Sequence, residues 1–287
     1  MAVAREQCLY CGADLSAPLP VAPDARRHSP PPSPAALPPP RPDRVLVVVG
    51  LDGVDQARLQ AAFGLSSYEA GQWARRGGYQ LHRALVPAEA VTERERLAAR
   101  GIAAFACDEA DVRAAAEPQP AVGGGFDGAV LRVRMRGGAV VVAAAELLLV
   151  VKGPIAREHP TNENLRFPRI ATLDPGFRFH LHRRNHLRPM EIDPAAFDFG
   201  AHRAGESSLL EIGGWIGALT ATVPVDDGFR RITPALAPVL PPAGAASKPE
   251  DALRTSALPP LAILDNLAQF RFYSAWRGAV ERQARAR

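Results

Sequence analysis

Two cysteines near the start of the chain have the spacing of metal ligands. Cys8 and Cys11 are separated by two residues and followed by Gly12, which opens the tight turn that points backbone amides at two thiolates. A closed tetrahedral zinc site needs four ligands, but Cys107 and His28 are the only loose candidates, and neither has ligand spacing. The sequence therefore predicts a half-site for zinc that a second chain or a partner completes. A redox pair and an incidental motif are the alternatives.

Residues 8–15 resemble the first knuckle of a zinc ribbon, which implies that Cys8 and Cys11 are ligands of a zinc cofactor. The segment that follows, residues 17–42, contains 11 of the chain's 28 prolines and cannot build a core. It predicts an extended, semi-rigid spacer that holds the cysteine pair away from the folded region.

Three histidines further along the chain form the second cluster that could do chemistry. On a strand His180 and His182 share one face, and His186 follows the next turn, which would suit a metal-dependent enzyme. Several arginines in the same stretch oppose a dication, and no carboxylate is close enough in sequence to orient a ligand. The alternative, which we favour, is a solvated sheet face opposite an apolar one.

The stretch that contains these histidines is also the most basic part of the chain. Residues 157–190 carry seven arginines against three acidic residues, a balance of +4, with phenylalanines between them. Such a face could bind nucleic acid or a phosphate-rich ligand. The chain is rich in arginine, alanine and proline throughout, as proteins of GC-rich genomes are, so nucleic acid is an alternative partner and not the favoured one.

Other catalytic and membrane signals are missing from the sequence. It contains no Walker loop, no GxSxG and no HExxH, and the glycines after the first strand do not complete a dinucleotide motif. The most apolar run, residues 139–151, contains Glu146 and is shorter than the roughly 20 residues that a bilayer requires. With no secretory signal and no disulfide framework, we expect a cytoplasmic protein that is not an enzyme and has no membrane partner.

Strand and helix signals alternate over residues 44–108. A buried strand at Val45–Val49 precedes a helix from Asp55 to Phe63, which ends at Gly64. A capping box formed by Ser66 and Glu69 begins a second helix. A strand at 79–85, a helix at 88–100 and a strand at 102–107 complete the unit. The predicted order is β-α-α-β-α-β.

This stretch resembles the C-terminal domain of the bacterial ribosomal stalk protein and the substrate adaptor of the Clp protease. The residues that carry the resemblance are Gly64-Leu65-Ser66, Glu69-Ala70, Val86-Pro87-Ala88-Glu89-Ala90, Leu97 and Gly101-Ile102. Both families are binding modules, so the resemblance implies a binding fold without catalysis. Helix lysines contact translation factors in the stalk family, but Gly71 stands where such a lysine is usual, so a translational role does not carry over.

The next region predicts several β-strands followed by a helix. Residues 130–135 alternate between apolar side chains and arginines, which predicts a half-buried strand. Gly137-Gly138 predicts a hairpin turn, and a strand at 147–151 ends at Gly153-Pro154. Strands at 177–183 and 187–192 pair, and an apolar helix covers 207–220. This order is loosely similar to pleckstrin-homology domains. In the tail, apolar residues recur every three or four positions, which predicts a helix that docks through an apolar stripe.

The predicted fold class is α+β and multi-module, with a small β-α-α-β-α-β domain followed by an antiparallel β-rich domain. We predict a cytoplasmic, non-enzymatic adaptor that binds protein, with a zinc knuckle at Cys8 and Cys11. The predicted segments are a zinc-knuckle-like segment at 1–16, a proline-rich linker at 17–42, a small α/β binding domain at 43–113, a linker at 114–125, a β-rich domain at 126–241, a linker at 242–258, and a C-terminal amphipathic helix at 259–287.

Overall fold

The computed structural model describes residues 44–161, 169–200, 206–231, 239–241, 244–245 and 264–286. The predicted zinc knuckle with Cys8 and Cys11 lies outside these residues, as do the proline-rich spacer and most of the predicted linker at 242–258. Helices and sheets occur together in the described part, which confirms the α+β class.

The first seven elements form a small antiparallel sheet with helices. They are β1 (Val45–Gly50), α1 (Gln56–Phe63), α2 (Ser67–Arg76), β2 (Tyr79–Leu85), α3 (Pro87–Ala98), β3 (Ala104–Asp108) and α4 (Glu109–Ala114). The predicted β-α-α-β-α-β order is confirmed, and α4 is added to it. The sheet order is β2-β1-β3, so β1 is central. Its run of β-branched and leucine side chains suits a strand that is buried on both faces.

Local hydrogen bonds set the helix boundaries in this unit. The Asp55 side chain accepts from the backbone N–H of Arg58 and begins α1, which ends at Gly64 with φ of 66°. Ser66 and Glu69 form the predicted capping box, in which the Ser66 N–H donates to Glu69 Oε2 at 2.9 Å. The sequence predicted these boundaries because each depends on residues only three or four positions apart.

The remaining strands form one large sheet. Its elements are β4 (Gln119–Phe126), β5 (Val130–Met135), β6 (Gly138–Ala143), β7 (Leu147–Thr161), β8 (Arg169–Arg183), β9 (Met190–Ile192), α5 (Glu206–Leu219), β10 (Val225–Asp226), β11 (Gly244–Ala245), β12 (Leu264–Asp265) and α6 (Leu267–Arg285). The order is β11-β12-β7-β8-β9-β4-β5-β6, and β10 pairs with β7. The sheet is mixed, because β4 with β9 and β10 with β7 are parallel while the other pairs are antiparallel.

The predicted linker at 114–125 is wrong, because residues 119–126 form strand β4 between β9 and β5. Its glycines look like a flexible joint in sequence, but they permit close packing within the sheet. A Cβ on Gly124 would lie 3.0 Å from the carbonyl carbon of Arg132, and one on Gly123 would lie 2.8 Å from the Asp198 oxygen. Residues 244–245 of the predicted linker at 242–258 likewise form a strand, β11, paired with β12.

The predicted strand end at Gly153-Pro154 is also wrong. Strand β7 continues to Thr161 and pairs with β8 along its length. Gly153 lies within the strand because the ring of Phe270 packs against it, and a Cβ there would be 2.5 Å from Phe270 Cε2. The predicted turn at Gly137-Gly138 is shifted by one residue, since Gly138 already pairs with Met135.

Helix α6 lies in the core and is not an amphipathic surface helix over its whole length. Its buried positions surround the helix and are Phe270, Phe272, Tyr273, Ser274, Ala275, Trp276, Arg277, Gly278 and Val280. One core cluster joins α6 to alternate residues of β1 and to Leu149 and Val151 of β7. The small sheet and the large sheet therefore share a core, with α6 between them.

Two further clusters complete a layered arrangement. The outer face of the small sheet packs on α1, α2 and α3 through Val47 and Leu59. The other face of the large sheet packs on α5 through Phe179, Leu181 and Trp215. Among the described helices, none combines the length and the apolarity needed to cross a bilayer.

Candidate functional site

The histidines His180 and His182 lie on one face of β8, as predicted, but that face is covered by α6. Both side chains are fully buried, so the prediction of a solvated face is wrong. His186 is exposed in the connection after β8 and does not join them. Within the described residues no group of three or more His, Cys, Asp and Glu side chains is arranged to hold a metal ion. The structure therefore does not bring these three histidines together as metal ligands.

The two buried histidines bind neighbouring side chains. His180 Nε2 lies 3.0 Å from Glu191 Oε2, and Arg271 of α6 donates to both oxygens of that carboxylate at 3.0 Å. His182 Nε2 lies 2.8 Å from Ser274 Oγ. Burial lowers the pKa of both histidines below the ordinary value, so both are neutral near pH 7. These contacts attach α6 to the sheet.

The arginines of the basic stretch that the structure describes are dispersed. Arg178 forms an ion pair with Asp193 at 2.6 Å, and its side chain is only 11% exposed. Arg184 donates to the carbonyl oxygen of Ala145 at 2.9 Å, and Arg188 is exposed beside α6. Each of these three arginines thus has a different environment. The side chains of residues 156–175 lie outside the description.

A different feature has the dimensions of a binding site. A groove of about 710 Å³ lies between α4 and the C-terminal half of α6, with the end of β3 at its base. We call it the α4–α6 groove. Its lining is rich in small side chains, namely Ala106, Ala114, Ala115, Ala279 and Ala286. Val112 and Cys107 also belong to the lining, but both side chains are buried beneath it.

Charges line the two sides of this groove separately. Asp108 and Asp111 lie on the α4 side, where Asp108 precedes the helix and Asp111 is in its first turn. Arg188 and Arg282 lie on the other side, on the connection after β8 and on α6. Within the described residues, no carboxylate forms an ion pair with Arg188 or Arg282. No described lysine, arginine or histidine forms one with Asp108 or Asp111. The Arg282 guanidinium donates to the carbonyl oxygen of His186 at 3.4 Å, and burial lowers its pKa.

An exposed leucine stands beside the basic side of the groove. Leu187 precedes Arg188 and is 69% exposed. A single exposed apolar side chain is ordinary on a protein surface, but one that adjoins an apolar groove extends the surface that a partner could cover.

One of the three cysteines contributes to the base of the groove. The Cys107 thiol is buried and donates to Gln283 Oε1 of α6 at 3.3 Å. Cys107 was predicted only as a distant candidate for a zinc ligand, and the structure places it on β3 against α6.

The sequence did not predict this groove. It needs α4, a helix that the sequence analysis did not predict, together with α6, which begins more than 150 residues later in the chain. The available signals were Asp108 ahead of the helix-forming run Glu109–Ala114 and the apolar stripe in the tail. Comparisons with protein-family models, with curated proteins and with solved structures find no match for this chain.

Proposed function

We propose that this protein is a non-enzymatic adaptor that binds a protein partner in the α4–α6 groove. The observation that carries the proposal is the arrangement of charge, with an apolar base between two aspartates on one side and two arginines on the other. Charged side chains at the edges of a groove favour a partner with complementary charges and exclude partners with the reverse arrangement.

The partner that best fits this groove is an amphipathic helix. Small side chains along the base let a helix approach closely, and its apolar face would cover Ala106, Ala114 and Ala279. Basic residues on one edge of the helix would face Asp108 and Asp111, while acidic residues on the other edge would face Arg188. Leu187 would pack against the exposed flank of the bound helix.

Two expectations from the sequence belong to the same proposal. The resemblance of residues 44–108 to the stalk and Clp adaptor families implies a binding module, which supports a role without catalysis. A zinc knuckle at Cys8 and Cys11, completed by a second chain or the partner, would add a second point of attachment and raise the overall affinity. We place this adaptor in the cytoplasm.

A photo-crosslinking amino acid at Leu187 tests where the partner binds. Leu187 is 69% exposed beside the groove, and Val141 is 62% exposed on β6, away from the groove lining, so Val141 is a matched control. We expect an adduct from the organism's own extract at position 187 that is missing at position 141. The adduct must map to a helical segment with basic residues on one edge and acidic residues on the other. Equal labelling at both positions, or a segment without that pattern, contradicts the proposal.

Charge reversal tests the mode of binding with the segment so identified. We expect Arg188→Glu to weaken its binding at least about tenfold, because a repulsive contact replaces an attractive one. Reversal of the acidic edge of the segment should restore affinity for this variant. Arg136→Glu is the control for net charge, since Arg136 is exposed in the turn between β5 and β6. If both variants bind equally well, the groove is not the binding site.

A further inference from the structure

Strand β6, at one edge of the large sheet, is built unlike the other sheet edges that the structure describes. It pairs only with β5 among the described strands, and its sequence, Gly-Ala-Val-Val-Val-Ala, contains neither a charge nor a proline. The other edges carry features that discourage pairing with a further strand. Strand β2 contains Arg83 and has an interrupted register against β1, β3 ends at Asp108, and β11 has only two residues. Strand β6 is therefore the edge that is open to another strand.

The backbone groups on the outer side of β6 belong to Ala139 and Val141. The two-residue turn between β5 and β6 fixes which residues of β6 bond towards β5, and the residues between them point their N–H and C=O groups away from it. The next outward N–H, that of Ala143, donates to Glu146 Oε1 at 3.4 Å. Ala139 and Val141 thus present donors and acceptors on the side of β6 that no described strand covers.

Apolar side chains on both faces of this edge are incompletely covered. Val141 is 62% exposed on one face. On the other face, Val140 and the neighbouring Met135 are only half-buried against the core that α5 covers. A helix laid along the edge could cover these side chains, but only a strand would also satisfy the outward backbone groups.

Charges at the two ends of β6 favour a second copy of this chain as the partner. Arg136 is exposed in the turn before β6, and Glu146 is exposed in the turn after it. When two copies of β6 pair antiparallel, the Arg136 end of each lies beside the Glu146 end of the other, so opposite charges meet at both ends. The arginines of β5 add little repulsion because both form ion pairs within the chain, Arg132 with Asp127 and Arg134 with Asp198.

From this edge we infer that two copies of the chain form a dimer in which their β6 strands pair antiparallel and join the two large sheets. Ala139 of each copy lies opposite Val141 of the other, so each outward N–H donates to an outward C=O, and the two Val140 residues face each other on the twofold axis. This register leaves the Ala143 N–H on Glu146. The assembly closes at two copies because the pairing uses the open edge of each. It is independent of the adaptor groove, since no residue of β6 lines that groove.

Sedimentation of the full chain and of edge variants tests the inference. We expect the full chain to sediment at twice the 30.6 kDa of one chain at about 100 µM. Val141→Pro removes an outward N–H but no bond to β5, so we expect a folded chain that dimerises at least about a hundredfold more weakly. Val141→Lys places a charge on the edge and should weaken dimerisation about tenfold. Val122→Lys is the matched control, because Val122 is 42% exposed on β4, two strands in from the edge. Circular dichroism checks that each variant is folded, and the two lysine variants carry the test if the proline variant is not.

Disulfide capture tests the register, in a Cys8→Ser/Cys11→Ser background that excludes a dimer held by shared zinc. We expect this background to remain dimeric. Val140→Cys in it places two thiols on residues whose Cα atoms lie about 4.5 Å apart across the axis, within the range of a disulfide, so mild oxidation should link the copies. Val122→Cys in the same background should not link them. A monomeric full chain at about 100 µM, a dimer that survives both Val141 variants, growth beyond two copies, a monomeric serine background, or no link through position 140 overturns the inference.

Discussion

Gly278 lies where α6 approaches β8 most closely, and its replacement by alanine tests how the helix is packed. A Cβ at position 278 would be 2.6 Å from Cε1 of the His182 ring and closer still to its Nδ1. The ring cannot move outwards because His182 is fully buried and its Nε2 is held by Ser274 one turn earlier on the same helix. The alanine therefore clashes with a side chain that has no free space beside it.

The expected size of the effect follows from two opposing contributions. Alanine is more favourable than glycine within a helix by about 1 kcal/mol. Overpacking of a well-filled core costs about 1–3 kcal/mol, and loss of a buried hydrogen bond adds about 1 kcal/mol. We expect the Gly278→Ala substitution to lower the free energy of unfolding by about 2 kcal/mol. Gly217→Ala in α5 is the matched control, because nothing lies within 4 Å of the added Cβ, and it should be neutral or stabilising.

Urea unfolding followed by circular dichroism measures these free energies, and a double-mutant cycle isolates the contact. In a His182→Ala background the clash partner is missing, so Gly278→Ala should become stabilising by up to about 1 kcal/mol. The reasoning is refuted if Gly278→Ala stabilises the unmodified chain, or if its effect is the same in both backgrounds.

Two further predictions concern acid stability and metal content. Burial lowers the pKa of His180 and His182 below 6.5, so the unfolded chain binds more protons and the free energy of unfolding falls as the pH falls below about 6.5. Burial alone would raise the pKa of Glu191 from 4.5, but hydrogen bonds from His180 and from an arginine lower it to about 2. The free energy of unfolding should therefore fall by about a further 3 kcal/mol between pH 4.5 and pH 2. Urea titrations at pH 7, 5.5, 4 and 2.5 test both predictions. A free energy of unfolding that is flat from pH 7 to pH 4 would contradict the histidine prediction, and one that is flat from pH 4 to pH 2.5 would contradict the Glu191 prediction. For the predicted knuckle, metal analysis of the purified chain beside Cys8→Ser/Cys11→Ser should find about half an equivalent of zinc that the double variant loses. Equal zinc in both proteins would place the metal elsewhere.

Signals that act over a few residues were read correctly from the sequence. The capping box of Ser66 and Glu69 begins α2, and Gly64 ends α1, because the hydrogen bonds concerned join residues three or four positions apart. The alternation around β8 also placed His180 and His182 on one face of the strand, since side-chain direction alternates along any strand.

Glycines in a strand were misread, because their reason for being there is distant in the chain. Gly123 and Gly124 predicted a linker, yet β4 lies between two other strands and the neighbouring backbone leaves no room for a Cβ. Gly153 predicted the end of a strand, yet it admits the ring of Phe270, which follows more than 100 residues later. A local pattern does not distinguish a glycine that allows flexibility from one that allows close packing.

The sequence by itself determined the α+β class, the order of elements in residues 44–108, and which side chains share a face of a strand or helix, because these depend on short-range periodicity and capping. Only the tertiary structure decided what covers each face. Ser274, 92 residues after His182, turns an expected solvated face into the interior. Helix α6 meets β3 across 176 residues at Cys107 and Gln283, beside α4, and so forms the groove. Such pairings depend on which apolar surfaces bury one another best, a property of the whole chain that no local stretch of residues contains.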